Sequence, residues 1–198
     1  MNSAHSHPPT AGIVAGGTGQ RFGGADKGWV RVAGRPLIEH TVNRVAGQCD
    51  PILINANRNL DAYRALGFGV FPDSDINNGP LAGIETLFHA SLADLLLIVP
   101  IDTPLLPTDL ANRLFDALTA SADLAIVRTP AGPQRMHALC RRRCLERLVA
   151  ARAAGITSVG EWQADLHCAE AVFEYDTPFL NVNTPADVAN VEKQLEPT

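Results

Sequence analysis

No apolar stretch of this chain is long enough to cross a bilayer. The longest, Leu95 to Ile101, falls far short of the roughly 18 residues a membrane helix needs and reads instead as a buried strand. Basic residues are not in excess either: 16 Lys and Arg stand against 21 Asp and Glu, a formal charge of −5. Neither a nucleic-acid surface nor an anionic-membrane surface is expected from that balance, so an anionic ligand must be met by a few local cations. Cysteine is sparse and scattered, at Cys49, Cys140, Cys144 and Cys168, with no CxxC pair. That pattern suits reduced thiols in a cytoplasmic protein better than a disulfide framework. Cys140 and Cys144 stand four apart, on a spacing that would share a helix face near His137 and His167. Metal sites show tighter or paired ligands, so buried thiols are the expectation. The opening MNSAHSHPPT lacks the basic start and apolar core of a secretory signal. Residues 1–10 are expected as a frayed tail, with His5 and His7 solvated.

What is present is ordinary in bulk and particular in pattern. With 46% apolar and 19% charged residues the chain can bury a sizeable core, and no repeat or low-complexity linker divides it, so residues 11–198 are expected as one domain. Short apolar runs (Ala11 to Ala15, Ile52 to Asn55, Gly69 to Phe71, Leu95 to Val99, Leu124 to Val127) predict buried strands. Between them Pro36 to Gly47, Leu60 to Leu66, Leu81 to Ala90 and Thr108 to Thr119 carry helical patterns. The alternation predicts an α/β fold with a mostly parallel sheet covered on both faces and ligands beyond the strands' carboxyl ends. After Thr129, TPAGPQ reads as a turn. A strand Met136 to Cys140 follows, then a helix Arg141 to Ala154 whose arginines form a solvated face, a strand Ala169 to Phe173 and a closing helix Pro185 to about Leu195.

The densest signal is VAGGTGQRFGGADKG at 14–28, with six glycines, Arg21 and Lys27 directly behind an apolar strand. Gly16, Gly17 and Gly19 would let backbone N–H groups approach phosphate at the sheet's carboxyl edge. The loop is not a Walker P-loop, because Ala25 and Asp26 separate Gly24 from Lys27. It is not a dinucleotide fingerprint either, because Phe22 stands at the third glycine's place. What remains is a long loop with a planar guanidinium and a compact ammonium reaching one polyanion.

VAGGTGQRFGGADKG resembles the LAGGxxxRMGGxDKG signature of molybdenum cofactor guanylyltransferases, within the nucleotidyltransferases of three-layer Rossmann-like fold. The similarity continues through Asn55-Ala56-Asn57-Arg58, Gly79-Pro80-Leu81-Ala82-Gly83, Pro100-Ile101-Asp102-Thr103-Pro104 and Asn181-Val182-Asn183-Thr184-Pro185. Val14 replaces the usual Leu, Phe22 replaces Met, and RMHAL at 135–139 lacks the proline often found before the Ala-Leu pair. The resemblance implies nucleotide binding by Val14, Ala15, Gly16, Gly17, Lys27, Asn55, Asp73, Gly79 and Asp102. It also implies catalysis with Lys27, Arg21 and Asp102, and acceptor binding by Asn181 and Asn183.

Residue chemistry supports parts of that assignment. Asp102 follows an apolar strand between Pro100 and Pro104, where a lone, rigid carboxylate suffices for Mg²⁺, which otherwise takes waters and substrate phosphates. Asp73 and Asp75 in FPDSD each offer a carboxylate to the adjacent N–H donors of guanine, and the family pattern points to Asp73. Thr184-Pro185 reads as the cap of the last helix. The implied reaction is transfer of GMP from GTP to molybdopterin cofactor with release of pyrophosphate. The alternatives are a cytidylyltransferase, a sugar-phosphate guanylyltransferase, and a non-catalytic GTP-binding adaptor. Cofactor-delivery proteins and molybdoenzymes are the partners the resemblance implies, with no nucleic acid and no membrane.

Overall fold

The computed structural model describes residues 8–16, 26–73 and 79–195. In chain order these form β1 (Thr10–Val14), β2 (Arg31–Val32), β3 (Arg35–Pro36), α1 (Leu37–Val45), β4 (Ile52–Asn55), α2 (Leu60–Arg64), β5 (Gly69–Phe71) and α3 (Gly79–Ala90). There follow β6 (Leu95–Pro100), α4 (Leu110–Ala117), β7 (Leu124–Thr129), β8 (Gly132–Arg141), α5 (Cys144–Ala153), α6 (Val159–Ala164), β9 (Cys168–Val172) and α7 (Pro185–Leu195). Seven strands make the central sheet in the order β5-β4-β1-β6-β8-β7-β9. Only β8 runs against its neighbours; β5, β4, β1 and β6 are mutually parallel, as are β7 and β9.

Alternation along the strands builds the layers. Leu97 and Val99 of β6 join Ala11 and Ile13 of β1 in a core with α1, α2 and α4, while Leu96 and Ile98 face α3, α5 and α6. Because both faces are covered, the central strands read as unbroken apolar runs, TAGIV and LLLIVP. The helices carry one apolar stripe each, as in α1, where Leu37, Ile38, Thr41, Val42 and Val45 are buried. Among the described residues no helix is long and apolar enough to span a membrane.

Several boundaries differ from the sequence reading, each for a local reason. Thr10 is not tail: it pairs with Leu96 and is 1% exposed, while residues 1–7 lie outside the described residues. The turn expected over TPAGPQ shrinks to Pro130-Ala131, and Gly132, at φ 121°, already pairs with Thr129. Pro133 is tolerated in β8 because β6 pairing ends at Ala138, leaving that stretch an edge on one side. Cys140 belongs to β8 and Cys144 opens α5, so they share no helix face; both are buried free thiols. The expected solvated arginine face holds for Arg143 and Arg147, which are exposed, but Arg141 and Arg142 are partly buried and turned to carbonyls. Arg142 Nη1 donates to Ser91 O at 2.6 Å, and Arg141 Nε donates to Ala122 O at 3.1 Å. Arg143 Nε meets Asp123 Oδ1 at 2.6 Å. These cations satisfy carbonyls at the end of α3 and before β7.

Candidate active site

The site is built at the carboxyl rim of β4, β1 and β6. Backbone bonds carry the strands' order past their ends: Ala15 N–H donates to Asn55 O at 2.8 Å and Ile101 N–H to Val14 O at 3.1 Å. Val14 and Ala15 are therefore buried, while Gly16 emerges exposed at the edge. Gly17 and Arg21 lie outside the described residues.

The triplet Asp26-Lys27-Gly28 divides three tasks. Asp26 Oδ1 accepts from Gly28 N–H at 3.1 Å and from Tyr63 Oη at 2.8 Å, and its Oδ2 accepts from Asn59 Nδ2 at 3.1 Å. This caps the short helical turn Lys27–Trp29 and ties it to α2. Gly28 clears the path: a Cβ there would stand 2.1 Å from Tyr63 Oη and 2.7 Å from Ile101 Cδ1. Burial, then the neighbouring Asp26 carboxylate, push the Tyr63 phenol well above its usual range, so it is a donor. Lys27 is thereby aimed inward.

Lys27 Nζ donates to Asp102 Oδ2 and to Asn183 Oδ1, both at 2.6 Å. The Lys27 and Asp102 side chains are only 16% and 19% exposed. Asn183 arrives because Val182 N–H donates to Asp102 O at 2.8 Å and because the head of α7 is fixed. There Thr184 and Asp187 form a reciprocal cap: Asp187 Oδ2 accepts from Asn183 N–H at 2.9 Å and Thr184 N–H at 2.7 Å, and Asp187 N–H donates to Thr184 Oγ1 at 3.3 Å. Those bonds, the Asn183 N–H first, lower the Asp187 carboxyl below its usual value. Asp102 Oδ1 is buried with no hydrogen-bond partner among the described residues. A carboxylate oxygen shielded from water and unpaired, beside one that is paired, fits a hard cation. Among the described residues there is no cluster of three His, Cys, Asp or Glu that would hold a metal alone, so such an ion would complete its shell with waters and phosphate oxygens.

Asn55 and Asp73 are also brought together, and Asn57, not singled out in the sequence, joins them. Asp73 Oδ1 accepts from Asn55 Nδ2 and Oδ2 from Asn57 Nδ2, both at 2.7 Å, while Asp73 N–H donates to Asn57 Oδ1 at 2.8 Å. Each carboxylate oxygen keeps a lone pair for a further donor. No local signal marks Asn57, because its partner Asp73 lies sixteen residues on. Asn55 Oδ1 is buried and unpartnered among the described residues, and a Cβ on Gly83 would lie 2.2 Å from it. The second glycine of GPLAG thus leaves α3 close to the end of β4. A Cβ on Gly16 would fall 3.1 Å from Asn55 Oδ1 and 3.8 Å from Asp73 Oδ2, so the strand end lies against this polar group.

A cavity of about 440 Å³ joins Val14, Ala15, Gly16, Lys27, Asp102 and Asn181. Its far wall is made by Pro133 to His137 and Val159. Gly79 is not among its lining residues, although Pro80 is; Gly79 opens α3 at φ 69°. His137 is 2% exposed, with Nε2 3.0 Å from Thr103 Oγ1, and burial holds its imidazole down to about 3. It is a neutral ring that braces the residue after Asp102, not a proton carrier near neutral pH.

The MobA-like NTP transferase domain matches residues 11–168. A curated relative from Shewanella amazonensis, called molybdenum cofactor guanylyltransferase, is 43% identical over 187 residues, covering 92% of this chain and 95% of its own. Among solved structures, molybdopterin-guanine dinucleotide biosynthesis protein A from Archaeoglobus fulgidus superposes with a TM-score of 0.78 at 20% identity, over 94% of this chain and 98% of that one. A Mycobacterium tuberculosis protein solved as a complex with manganese superposes at 0.72 and 15% identity, again over 94% and 98%. Likeness at such low identity speaks for the fold.

Proposed function

The chain belongs to the molybdenum cofactor guanylyltransferase family, within the MobA-like NTP transferases, and on that premise we propose how its rim performs the family's reaction. The enzyme transfers GMP from GTP to molybdopterin cofactor, forming the guanine dinucleotide and pyrophosphate. An oxygen of the acceptor's terminal phosphate attacks the α-phosphorus, a new P–O bond forms, and the bond to the bridging oxygen breaks with its electron pair leaving on pyrophosphate. The attacking group is already an anion, so no strong general base is needed. The difficulty is holding two polyanions together, and fixed positive charge at the α-phosphate lowers that barrier.

The observation that carries this reading is the Lys27–Asp102–Asn183 contact set beside the unpaired, buried Asp102 Oδ1. A divalent cation accompanies this chemistry; we take it as Mg²⁺, held by Asp102 and supplying charge neutralisation to the phosphates. Lys27 is positioned by Asp26 and Gly28 to add a second cation, and Asn183 keeps its ammonium on the acceptor side. Arg21 is assigned the outer phosphates on the family pattern. Asp73, its oxygens oriented by Asn55 and Asn57, is assigned the guanine N1–H and N2–H pair, a pattern adenine and cytosine do not offer.

The test is pyrophosphate release on mixing GTP, Mg²⁺ and molybdopterin cofactor. Release with GTP and not with CTP is expected. Turnover with CTP would assign a cytidylyltransferase, and GTP binding without release would leave a non-catalytic carrier.

A further inference from the structure

The far wall of the cavity has no role in the mechanism so far, and its geometry is unusual. Ile126 of β7 pairs with Ala138 but the next residue, Val127, pairs with Gln134, so Arg135, Met136 and His137 stand in a bulge without partners on that strand. Pairing with β6 on the other side ends at Ile98 with Ala138. Freed from both neighbours, these residues line the cavity. Bulges beside sites re-aim side chains in this way.

Arg135 is the charged member of the bulge, and the fold invests a buried side chain in holding it. Gln163, 1% exposed, spans both its ends: Gln163 Nε2 donates to Arg135 O at 2.9 Å, and Gln163 Oε1 accepts from Arg135 Nη1 at 3.2 Å. The arm runs along the first turn of α6, where a Cβ on Gly160 would lie 3.5 Å from its Cδ and Nε. Glu170, a carboxylate within its electrostatic reach, is engaged by Arg128 through both oxygens at 2.9 and 2.5 Å. Arg135 therefore presents a braced, planar set of donors to the cavity, most of them uncommitted among the described residues.

Strand order gives the location meaning. From β4 to β8 the rim runs Asn55, Gly16, Asp102, then Arg135. If base and α-phosphate occupy the first three, the acceptor must approach from the fourth. We propose that Arg135 binds the terminal phosphate of the acceptor and that Gln163 is its positioning residue, with Met136, Val159 and Pro80 as the apolar surface for the planar ring. The inference rests on the guanylyl-transfer reading. Arg135 forms no bond in the reaction; it holds the attacking phosphate against the α-phosphorus.

The test separates acceptor from nucleotide. In Arg135→Ala the acceptor KM rises about 10- to 100-fold, as loss of a charge-assisted fork predicts, while the calorimetric Kd for GTP stays within about threefold of the parent. Arg135→Lys recovers part of the loss, because charge without the planar fork remains. Gln163→Leu raises acceptor KM by itself and adds little when Arg135 is already Ala. An acceptor KM for Arg135→Ala within about twofold of the parent overturns the proposal, and so does an equal loss of GTP affinity accompanied by a lower Tm. A parent enzyme that releases no pyrophosphate from GTP with acceptor sinks the guanylyl reading and this inference with it. A working parent with an unmoved Arg135→Ala sinks this inference alone.

Discussion

Replacing Lys27 by methionine should have two effects of opposite sign, and the pair is diagnostic. The side chain keeps its length but withdraws the ammonium from Asp102 Oδ2 and Asn183 Oδ1. On the proposed reading, in the ligand-free protein that ammonium competes with a divalent ion for the same carboxylate. Unit charges about 4 Å apart interact by roughly 4 kcal/mol at an effective permittivity near 20, and a doubly charged ion feels more. If only a third of the single-charge figure survives rearrangement and screening, metal affinity at Asp102 changes about tenfold. Lys27→Met should therefore bind Mn²⁺ at least about tenfold tighter without nucleotide, read by calorimetry or by loss of the free-ion paramagnetic signal. The same variant should lose about 10²- to 10³-fold in guanylyl transfer, the usual size of one preorganised electrostatic group. Unchanged or weaker Mn²⁺ binding would refute the competition at Asp102. Undiminished transfer would refute the placement of Lys27 at the phosphates.

Gly28→Ala puts a methyl group 2.1 Å from Tyr63 Oη and should cost about 1–3 kcal/mol in urea unfolding; adding Tyr63→Phe should return part of that, since it removes the atom in the way. Asp73→Asn exchanges an acceptor for a donor toward guanine N2–H, so GTP should lose about 10- to 100-fold in kcat/KM in competition assays while xanthosine triphosphate, which carries a carbonyl there, gains. The Asp187 carboxyl is lowered in the fold by the Asn183 N–H and then by Thr184. Its contribution is thus full above the unfolded carboxylate value and is lost as pH falls through the lower folded one. The stability gap between the parent and Asp187→Asn should be constant from pH 7 to about 5 and close below about 4, where a gap that persists would mean the cap does not depend on the charge.

The parts of this molecule that could be read from residues alone are those where one chemical need forces one pattern. Buried parallel strands must be apolar on both faces, so AGIVA and LLLIV announced β1 and β6, and with them the rim that holds Gly16 and Asp102. The head of α7 was legible at Thr184-Pro185, though the reciprocal partner Asp187, three residues on, was not named. Ser158 and Glu161 form the same kind of spacing at the head of α6, where Ser158 Oγ accepts from Glu161 N–H at 3.5 Å, and that helix was in reach of the same rule. Asn57 and Gln163 were not. Each works on a group distant in sequence, Asp73 sixteen residues away and Arg135 twenty-eight, and an amide in isolation does not state its partner. Pro133 pointed away from a strand because the rule against proline in sheets assumes a neighbour on both sides.

The reversal at β8 ties fold to chemistry. Four parallel strands alone would present only their carboxyl ends at this rim, with room for one ligand at the crevice of β1 and β6. An antiparallel strand beside β6 instead brings its own first half to that rim. Its bulge at Arg135 to His137 sets polar side chains across from Lys27 and Asp102. A transferase needs two anionic reactants to meet at one phosphorus from opposite sides, and a sheet whose direction changes one strand past the carboxylate we assign to the metal supplies two facing walls. Straightening that bulge should therefore be more harmful to acceptor use than to GTP binding. Deleting Met136 to shorten it is expected to raise acceptor KM by at least about tenfold with GTP Kd preserved, and a deletion that weakened GTP binding first would show that the two walls are not separate.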